Sequence, residues 1–575
     1  MHPIAIALML TLPAQPTPED TRLANLFQSY LDREFRLHPV FATQQGNHDY
    51  DDQMDDLAPA ARAKDVDSAR QLLATLPKEI DVKKLSRNGQ IDFEIWTHSL
   101  AYSLWSVAND NRYEYDPRVY GEYISDSVFL LVTQSTLARE RNVANAAKRI
   151  AQIPKVVAAA KASLKNPPRI LTEITIKRNL GAIAFYEKDI YEFAKETPGS
   201  EPLASPCKAA VAAIKEYQEF LEKDLLPKST GEWRLGKAKF AEKLLLELDA
   251  GIAADEVIEI AEVEADRVER EMYYVAKQQW SKLFPGKALP PDDAEGRRTA
   301  VKSVLDELGK DHGKPETIVK DARQSVDSIK KFIREKKILT LPDPDQCQVI
   351  EMPEFQRGFS AAYLNPAPPL DTKAASLYAV APPPADWPTE RQEAFLKEYN
   401  RSMLQILTIH EAYPGHYVQL AYGNRNPSLI RKVLYSGVFA EGWAVYTEQM
   451  MLDQGYGYGD GDLSLRLHQL KFYLRAVLNA ILDHKMHCTN FGDDDAMKLL
   501  VGRGFQTEGE AFGKVQRAKQ SSCQLSTYFV GRTAFYRLRQ DVQRKRGDAF
   551  DLGKYHEEVL GQGTLPVKYL PELVK

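Results

Sequence analysis

Residues 410–416, which read His-Glu-Ala-Tyr-Pro-Gly-His, constrain the fold of this 575-residue chain more than any other stretch. Histidine nitrogens are good zinc ligands, and a glutamate directly after the first histidine suits proton transfer from a water that the metal activates. On a regular α-helix, positions six apart diverge by about 120° and lie about 9 Å apart along the axis. The chain must therefore leave the helix between His410 and His416 if both are to bind one ion.

The residues between the two histidines favour that departure. Pro414 cannot continue a helix cleanly, because its ring clashes with the carbonyl group of His410. Gly415 permits backbone angles that other residues avoid. We predict that Pro414 and Gly415 form a bulge, which loops residues out and returns His416 to the face of His410.

A third ligand is predicted 25 residues after His416. Residues 436–451 show an apolar helix pattern with two acids, Glu441 and Glu448, which are seven positions apart and lie nearly on one face. A carboxylate inside an apolar helix is costly unless it is paired or binds a metal. Glu441 completes a set of two histidines and one glutamate, which leaves a position open as catalytic zinc requires. A buried salt bridge is the alternative role for Glu441.

Composition narrows the functional classes. The chain is 44% hydrophobic and 27% charged, which is ordinary for a large soluble globular protein. Its net charge of −5 and its lack of a Lys/Arg run argue against a nucleic-acid partner, and no stretch is long and apolar enough to span a membrane. The cysteines lack zinc-ribbon spacing, so we expect small core residues, with one disulfide left open for an exported protein. They are Cys207, Cys347, Cys488 and Cys523.

Residues 1–17 are predicted to form a signal peptide. An apolar run over residues 4–12 is followed by small and turn residues, which is typical of secretory signals, although no Lys or Arg precedes Arg22. The absence of cysteine from this region argues against a lipoprotein. We expect a mature protein that begins shortly after residue 14 and is periplasmic or secreted. The alternative is a cytoplasmic protein with a disordered or partly helical N-terminus.

Helical periodicity dominates the chain from residue 18 onward. We predict a helical N-terminal part over 18–230 and a helical catalytic part over 231–575, which together form one continuous unit. Short strands are predicted at 348–353, 360–365 and 376–381, where β-branched or aromatic residues lie between prolines. The predicted fold is therefore mainly α, with a small β-sheet edge beside the active-site cleft, along which a peptide substrate can bind by strand addition.

Several stretches resemble a bacterial family grouped as domain of unknown function 885. They are residues 39–50, the motif at 410–416, the stretch Ala-Glu-Gly-Trp-Ala-Val-Tyr-Thr-Glu from 440, Arg475 with Asp483 and His487, Gln524 through Tyr528 to Gly531, Tyr-His at 555 and Leu-Gly-Gln-Gly at 560. The resemblance covers nearly the whole chain, and its metal-site motifs are specific. The chain departs from the family at 522–524, where it has Ser-Cys-Gln and the family more usually has Pro-Gly-Gln.

The resemblance carries expectations about fold and chemistry. The family is thought to be helical and similar to gluzincin-type zinc peptidases, such as the thimet-oligopeptidase and carboxypeptidase Taq groups. By that resemblance, His410, His416 and Glu441 would be the zinc ligands, and Glu411 would be the general base.

A polar ridge on a later helix offers further groups for such a site. Four residues fall at successive i+4 positions of the helix predicted over 474–487: Arg475, Asn479, Asp483 and His487. A zinc-bound histidine usually donates its other N–H to a carboxylate, for which Asp483 and Glu448 are candidates. His487 and Tyr528 are donors suited to stabilising an oxyanion. A solvent-facing stripe is the alternative interpretation of this ridge.

These features predict a zinc-dependent hydrolase, most directly a metallopeptidase that cleaves peptides or oligopeptides. Glu411 would activate the attacking water and then deliver the proton to the leaving amine. Two alternatives stay open: hydrolysis of a small amide or ester by the same centre, and a non-catalytic zinc-binding protein. Structural zinc sites are usually closed and rich in cysteine, which argues against the last. The sequence leaves open the substrate, the choice between terminal and internal cleavage, and the oligomeric state.

Overall fold

The computed structural model describes residues 16–195, 197–198, 201–352, 361–459 and 461–575. The predicted signal peptide, with its apolar run over 4–12, lies outside the described residues apart from its last two positions. The described chain is mainly helical and has one small three-stranded sheet, which confirms the predicted fold class.

The helices that precede the sheet are α1 (Pro18–Leu37), α2 (Pro39–Gln45), α3 (Pro59–Glu79), α4 (Arg87–Asn109), α5 (Arg112–Tyr115), α6 (Arg118–Gly121), α7 (Ser127–Thr133), α8 (Arg139–Ile150), α9 (Ile153–Ser163), α10 (Arg169–Ala184), α11 (Ile190–Ala194), α12 (Ala204–Glu219), α13 (Lys237–Leu248), α14 (Ala254–Leu283), α15 (Ala294–Leu308) and α16 (Ile318–Lys336). Turns of π-helix extend three of them, at Glu122–Asp126, Phe185–Asp189 and Phe220–Leu225.

The strands are β1 (Cys347–Glu351), β2 (Ala362–Asn365) and β3 (Ser376–Val380). The helices that follow are α17 (Thr389–Glu398), α18 (Arg401–Glu411), α19 (His416–Gly423), α20 (Leu429–Val433), α21 (Gly437–Asp453), α22 (Ser464–Cys488), α23 (Asp493–Met497), α24 (Glu508–Gln520), α25 (Thr527–Arg546), α26 (Leu552–Gly561) and α27 (Leu570–Leu573).

Helix boundaries follow the periodicity closely where no proline intervenes. The sequence has helical periodicity over residues 237–248, 254–280 and 140–164, and the first two stretches correspond to α13 and α14. The continuous pattern over 140–164 is instead divided into α8 and α9. Pro154 lies in the first turn of α9, where its missing N–H costs nothing, whereas a helix running through this position would lose a hydrogen bond.

The three strands form the sheet in the order β1-β3-β2, with β1 parallel and β2 antiparallel to β3. All three predicted strands are confirmed, although residues 353 and 360 of those predictions lie outside the described residues. Because β2 is an edge strand, one side of it is not paired with β3. That side faces α18: the backbone N–H of Leu364 donates to Glu411 at the end of this helix.

Buried apolar residues form two large cores. The first core takes residues from α1 to α4 and from residue 240 onward, and includes Trp96 and Trp443. The second core is drawn mainly from residues 120–225 and includes Tyr186 and Tyr217. The candidate ligand helices α18, α19 and α21 belong to the first core. The division into an N-terminal part over 18–230 and a catalytic part over 231–575 stays a prediction.

Helices α21 and α25 cross at a pair of glycines. A Cβ atom added to Gly442 would lie 2.4 Å from the Cα atom of Gly531, and one added to Gly531 would lie 2.1 Å from the carbonyl oxygen of Val438. Only glycine at both positions permits this approach. The crossing brings Glu441, which adjoins Gly442, close to Tyr528, which precedes Gly531 by less than one helical turn.

The cysteines and the helix lengths bear on two further expectations. All four cysteines are free, and Cys207 and Cys523 are buried among apolar residues, as expected of core positions. None of the helices in the described part of the chain combines the length and the apolar character that a bilayer crossing needs.

Candidate metal centre and catalytic cavity

The two histidines of residues 410–416 come together where one helix ends and another begins. Helix α18 ends at Glu411, and α19 begins at His416 after a connection that contains a cis Tyr413–Pro414 peptide. The rings of His410 and His416 lie perpendicular to each other, with 4.8 Å between their centroids. The predicted bulge inside one helix is thus a full break between two helices, and His416 returns to His410 as that prediction requires.

Gly415 permits this return. A Cβ atom at position 415 would lie 1.9 Å from the carbonyl oxygen of His410 and 2.3 Å from that of Ile409. The indole N–H of Trp443 donates across 2.8 Å to the carbonyl oxygen of Pro414, which attaches the connection to α21. The break is therefore held against the helix that carries Glu441.

Glu441 completes a cluster of three potential ligands. Its Oε2 lies 3.6 Å from Nε2 of His410 and 3.4 Å from Nε2 of His416. Tetrahedral ligands at about 2.1 Å from a zinc ion are about 3.4 Å from one another. The same Oε2 is buried and accepts no hydrogen bond from any described residue. A zinc ion would satisfy this oxygen and both nitrogens, so the donor set fits the metal.

Charge within the cluster favours an ionised Glu441. Burial by itself raises the pKa of this carboxyl, but the nearby rings of His410 and His416 hold the pKa well below its usual range. Burial by itself lowers the pKa of His410, but Glu441 and Glu448 raise it well above the ordinary value in the metal-free chain. The carboxylate of Glu441 is therefore stabilised in its charged form by the rings that share its buried space.

Glu448 orients the first histidine. Nδ1 of His410 donates across 2.7 Å to Oε1 of Glu448. Glu448 is fully buried and lies about two helical turns after Glu441 on α21. Burial raises the pKa of Glu448 to about 7. Of the two carboxylates predicted for this role, Glu448 is the one in contact with His410. Asp483 instead accepts from the backbone N–H of Cys523 and the hydroxyl group of Ser526.

Glu411 lies beside the ligand cluster and outside it. Its Oε2 accepts the N–H of Leu364 across 3.0 Å, from the side of β2 that faces away from β3. This contact holds the carboxylate against the sheet edge, and Glu411 lines the same cavity as His410.

This cavity has a volume of about 110 Å³. Its polar lining consists of His410, Glu411, Tyr399, Arg475, Asn479, Lys514, Arg517 and Tyr528. The oxygen of Tyr528 accepts from Arg517 across 3.2 Å and from Gln524 across 3.3 Å, so its own proton stays available for donation. Burial raises the pKa of Tyr528, which keeps the hydroxyl protonated. The structure thus brings Tyr528 and Glu411 to one cavity.

The ridge on α22 is buried or half-buried, so the solvent-facing alternative is wrong. Arg475 reaches the cavity and forms an ion pair with Glu510 at 3.1 Å. His487 does not reach it, because twelve residues of helix place it about 18 Å further along the axis. Its Nε2 donates to the carbonyl oxygens of Ala518 and Ser521, and it lines a separate cavity of about 610 Å³.

Three features of the cavity were not predicted. Lys514 and Arg517 lie on α24, whose mixed charges are typical of a solvated helix. The third feature is the backbone N–H of Leu364, which donates to Glu411. A backbone donor cannot be inferred from the type of its side chain. One sequence signal for Lys514 and Arg517 was available: they lie three positions apart, shortly before the segment that contains Tyr528.

The chain belongs to a family described as "Bacterial protein of unknown function (DUF885)", whose sequence model matches residues 39–574. None of the curated proteins matches it. A solved structure from Shewanella oneidensis, described as "a putative lipoprotein of unknown function", is 29% identical, with a TM-score of 0.79 over 98% of this chain and 100% of that one.

A second solved structure, "the putative lipoprotein from Colwellia psychrerythraea", is 18% identical and has a TM-score of 0.78. It aligns over 97% of this chain and 98% of its own. The fold is therefore shared along the whole length of both relatives.

Proposed function

We propose that this protein is a zinc-dependent hydrolase that cleaves peptide bonds, with His410, His416 and Glu441 as zinc ligands. The observation that carries the proposal is the buried Oε2 of Glu441. It lacks a hydrogen bond from the described residues and faces the two imidazole Nε2 atoms at 3.4 and 3.6 Å. A buried carboxylate oxygen in this position is costly without a cation to satisfy it.

Glu411 is the proposed general base. A zinc ion held by His410, His416 and Glu441 would supply Lewis-acid chemistry, which acidifies a water molecule and polarises a carbonyl group. The N–H of Leu364 holds one oxygen of Glu411, and the carboxylate faces the cavity beside His410. Glu411 takes the proton from the attacking water and delivers it to the leaving nitrogen, a role that contributes about 10²–10⁴-fold to typical rates.

Tyr528 is the proposed oxyanion donor. Arg517 and Gln524 both donate to its oxygen, which directs the hydroxyl proton away from them. A donor fixed before the reaction stabilises developing negative charge without reorganisation. His487 is not part of this proposal, because both of its Nε2 contacts are with backbone carbonyl groups elsewhere.

The substrate class follows from the strand beside the base. Ala361 and Ala362, at the start of β2, line the cavity. An extended peptide can bind alongside an edge strand through main-chain hydrogen bonds, and this would place one of its carbonyl groups near Glu411. The small cavity volume of about 110 Å³ also favours a second candidate, hydrolysis of a small amide or ester. A non-catalytic zinc protein would not need Glu411 and Tyr528 at a shared cavity.

We also propose a location outside the cytoplasm, either periplasmic or secreted. The apolar run over residues 4–12 supports it, and both similar structures are described as putative lipoproteins. N-terminal sequencing of native protein should find a start shortly after residue 14, whereas a start at Met1 or His2 would refute a cleaved signal.

The test of function is a mass-spectrometric digest of a mixed peptide library, with a panel of small amides and esters beside it. Three samples are compared: zinc-loaded protein, chelated protein, and chelated protein to which zinc is returned. We expect cleavage in the first, none in the second and recovery in the third. Stoichiometric zinc without cleavage of any peptide, amide or ester would favour the non-catalytic alternative.

A further inference from the structure

Lys514 is a buried lysine whose amino group has no hydrogen-bond or ion-pair partner in the part of the chain that the structure describes. Only 5% of it is exposed, it lines the cavity beside Glu411, and it forms no hydrogen bond or ion pair with the described residues. Burying an ammonium group without an opposite charge is costly, and natural proteins keep such groups where a ligand provides the charge.

Arg517 adds a second positive charge to the same cavity. It lies three positions after Lys514 on α24, and its side-chain partners are neutral: Gln524 at 2.9 Å and Tyr528 at 3.2 Å. Arg475 differs, since Glu510 balances its charge. Two of the three cations that line the cavity therefore have no acidic partner among the described residues.

The environment of Lys514 opposes its charge in the absence of a ligand. Burial, and then the nearby guanidinium groups of Arg475 and Arg517, lower the pKa of Lys514 well below its ordinary value. Glu510 and Glu441 act in the opposite direction but do not reverse this shift. A ligand with a negative charge would be stabilised by Lys514 and would in turn stabilise the ammonium form.

We propose that Lys514 and Arg517 form a subsite that binds a carboxylate of the substrate beside the zinc ligands. The inference rests on the proposed function and adds the substrate class: peptides with a carboxylate next to the cleaved bond. The cavity volume of about 110 Å³ far exceeds the roughly 10–15 Å³ that one water needs, so several ligand atoms fit. The carboxylate is either the C-terminal one, which implies removal of terminal residues, or that of an acidic side chain.

Binding to the full-length, metal-free chain tests the subsite separately from catalysis. Isothermal titration would compare three probes: N-acetylalanine, N-acetylalanine amide and N-acetylaspartate α-amide. The first has only a terminal carboxylate, the second has none, and the third has only a side-chain carboxylate. We expect one or both acids to bind roughly 10- to 100-fold more tightly than the neutral amide, as charge-assisted hydrogen bonds provide. The tighter acid identifies the source of the carboxylate.

Lys514→Met should abolish this preference. Because it replaces a buried amino group that lacks a hydrogen bond from the described residues with an apolar side chain, it should also raise the thermal unfolding midpoint, which removal of a structural lysine would not do. Arg517→Gln, at an exposed position, should weaken the preference without affecting folding. Lys519→Met is the matched control: it lies on the same helix, pairs with Asp493 at 2.6 Å, and should keep the full preference.

The outcomes separate the two proposals. If acids and amide bind equally, or if none binds, the subsite is overturned whatever the protein hydrolyses. If the preference is lost in Lys514→Met but the library shows no hydrolysis, the subsite stands and the proposed function fails. If peptides are hydrolysed equally well with a free or an amidated C-terminus, and equally well with or without acidic residues, the proposed function stands and the subsite fails.

Discussion

Nδ1 of His410 donates to Glu448 across 2.7 Å, which leaves Nε2 of the same ring facing Glu441. Both carboxylates come from α21, and the two histidines come from helices that meet at a break. One buried acid thus holds the ring in place while the other shares the space in which a metal fits. The candidate site is preorganised because the orienting acid and the candidate ligands are fixed by the packing of α21 against α18.

Glu448→Gln should weaken zinc binding by about 10- to 100-fold, in line with the loss of a carboxylate that orients a ligand histidine. The amide is a weaker acceptor than the carboxylate, although it keeps the same shape. Zinc affinity is measured by competition with a chelator of known affinity. Asp453→Asn, at the end of the same helix where the acid pairs with Arg466, is the control and should bind zinc normally. Equal affinities in all three proteins would show that Glu448 does not orient the site.

Gly415→Ala should remove zinc while leaving most helices intact. The new Cβ atom would lie 1.9 Å from the carbonyl oxygen of His410, so the chain cannot return His416 to its present position. Zinc content and far-ultraviolet circular dichroism on the same preparation check this. Gly437→Ala adds a Cβ atom in open space at the start of α21, and it should retain zinc. A Gly415→Ala protein with full zinc content would mean that the break does not position His416.

Acid should loosen the helix that carries His410. Nε2 of His468 accepts the amide group of Asn400 across 2.8 Å, and the side chain of Asn400 accepts the N–H groups of Ser402 and Met403 at the start of α18. Burial lowers the pKa of His468 to about 4 from 6.5. The unfolded chain therefore binds a proton that the native chain resists, and stability falls as the pH drops from 6.5 to 4.

The expected loss at this one histidine is about 3 kcal/mol across that window. His468→Gln keeps an acceptor for Asn400 but cannot be protonated, so its thermal midpoint should fall less steeply between pH 7 and pH 4. Burial also lowers the pKa of His556, to about 3, and this histidine is present in both proteins. The contribution of His468 is therefore the difference between the slopes of the two midpoint curves. Parallel midpoint curves for the two proteins would exclude a role for His468.

The sequence was most informative where the constraint was local. The spacing of His410 and His416 requires a break in the helix, and Pro414 with Gly415 predicts where it occurs. The position of Glu441 beside the two histidines followed from an acid in an apolar helix. These inferences need only the neighbouring residues, and the three strands between prolines were predicted in the same way.

Inferences that depend on helix packing were less successful. Periodicity places Asp483 and His487 on the same face as Arg475, but it does not indicate which end of α22 approaches the candidate metal ligands. Only Arg475 and Asn479 reach the cavity. Lys514 was missed for a related reason: a lysine among charged residues predicts a solvated position, and its burial results from how α24 packs against α22.

The substitution Glu411→Gln tests the central claim most directly, because it separates catalysis from metal binding. The amide keeps the shape of the side chain and its contact with Leu364 but cannot accept a proton from water. Zinc content and kcat are measured on the same sample, with the peptide or amide that the library identifies. Glu393→Gln, at a half-buried glutamate of α17 that pairs with Lys397, serves as the control. We predict full zinc content, normal folding and a loss of at least about 100-fold in kcat. A Glu411→Gln protein with full zinc and near-wild-type kcat would contradict the account.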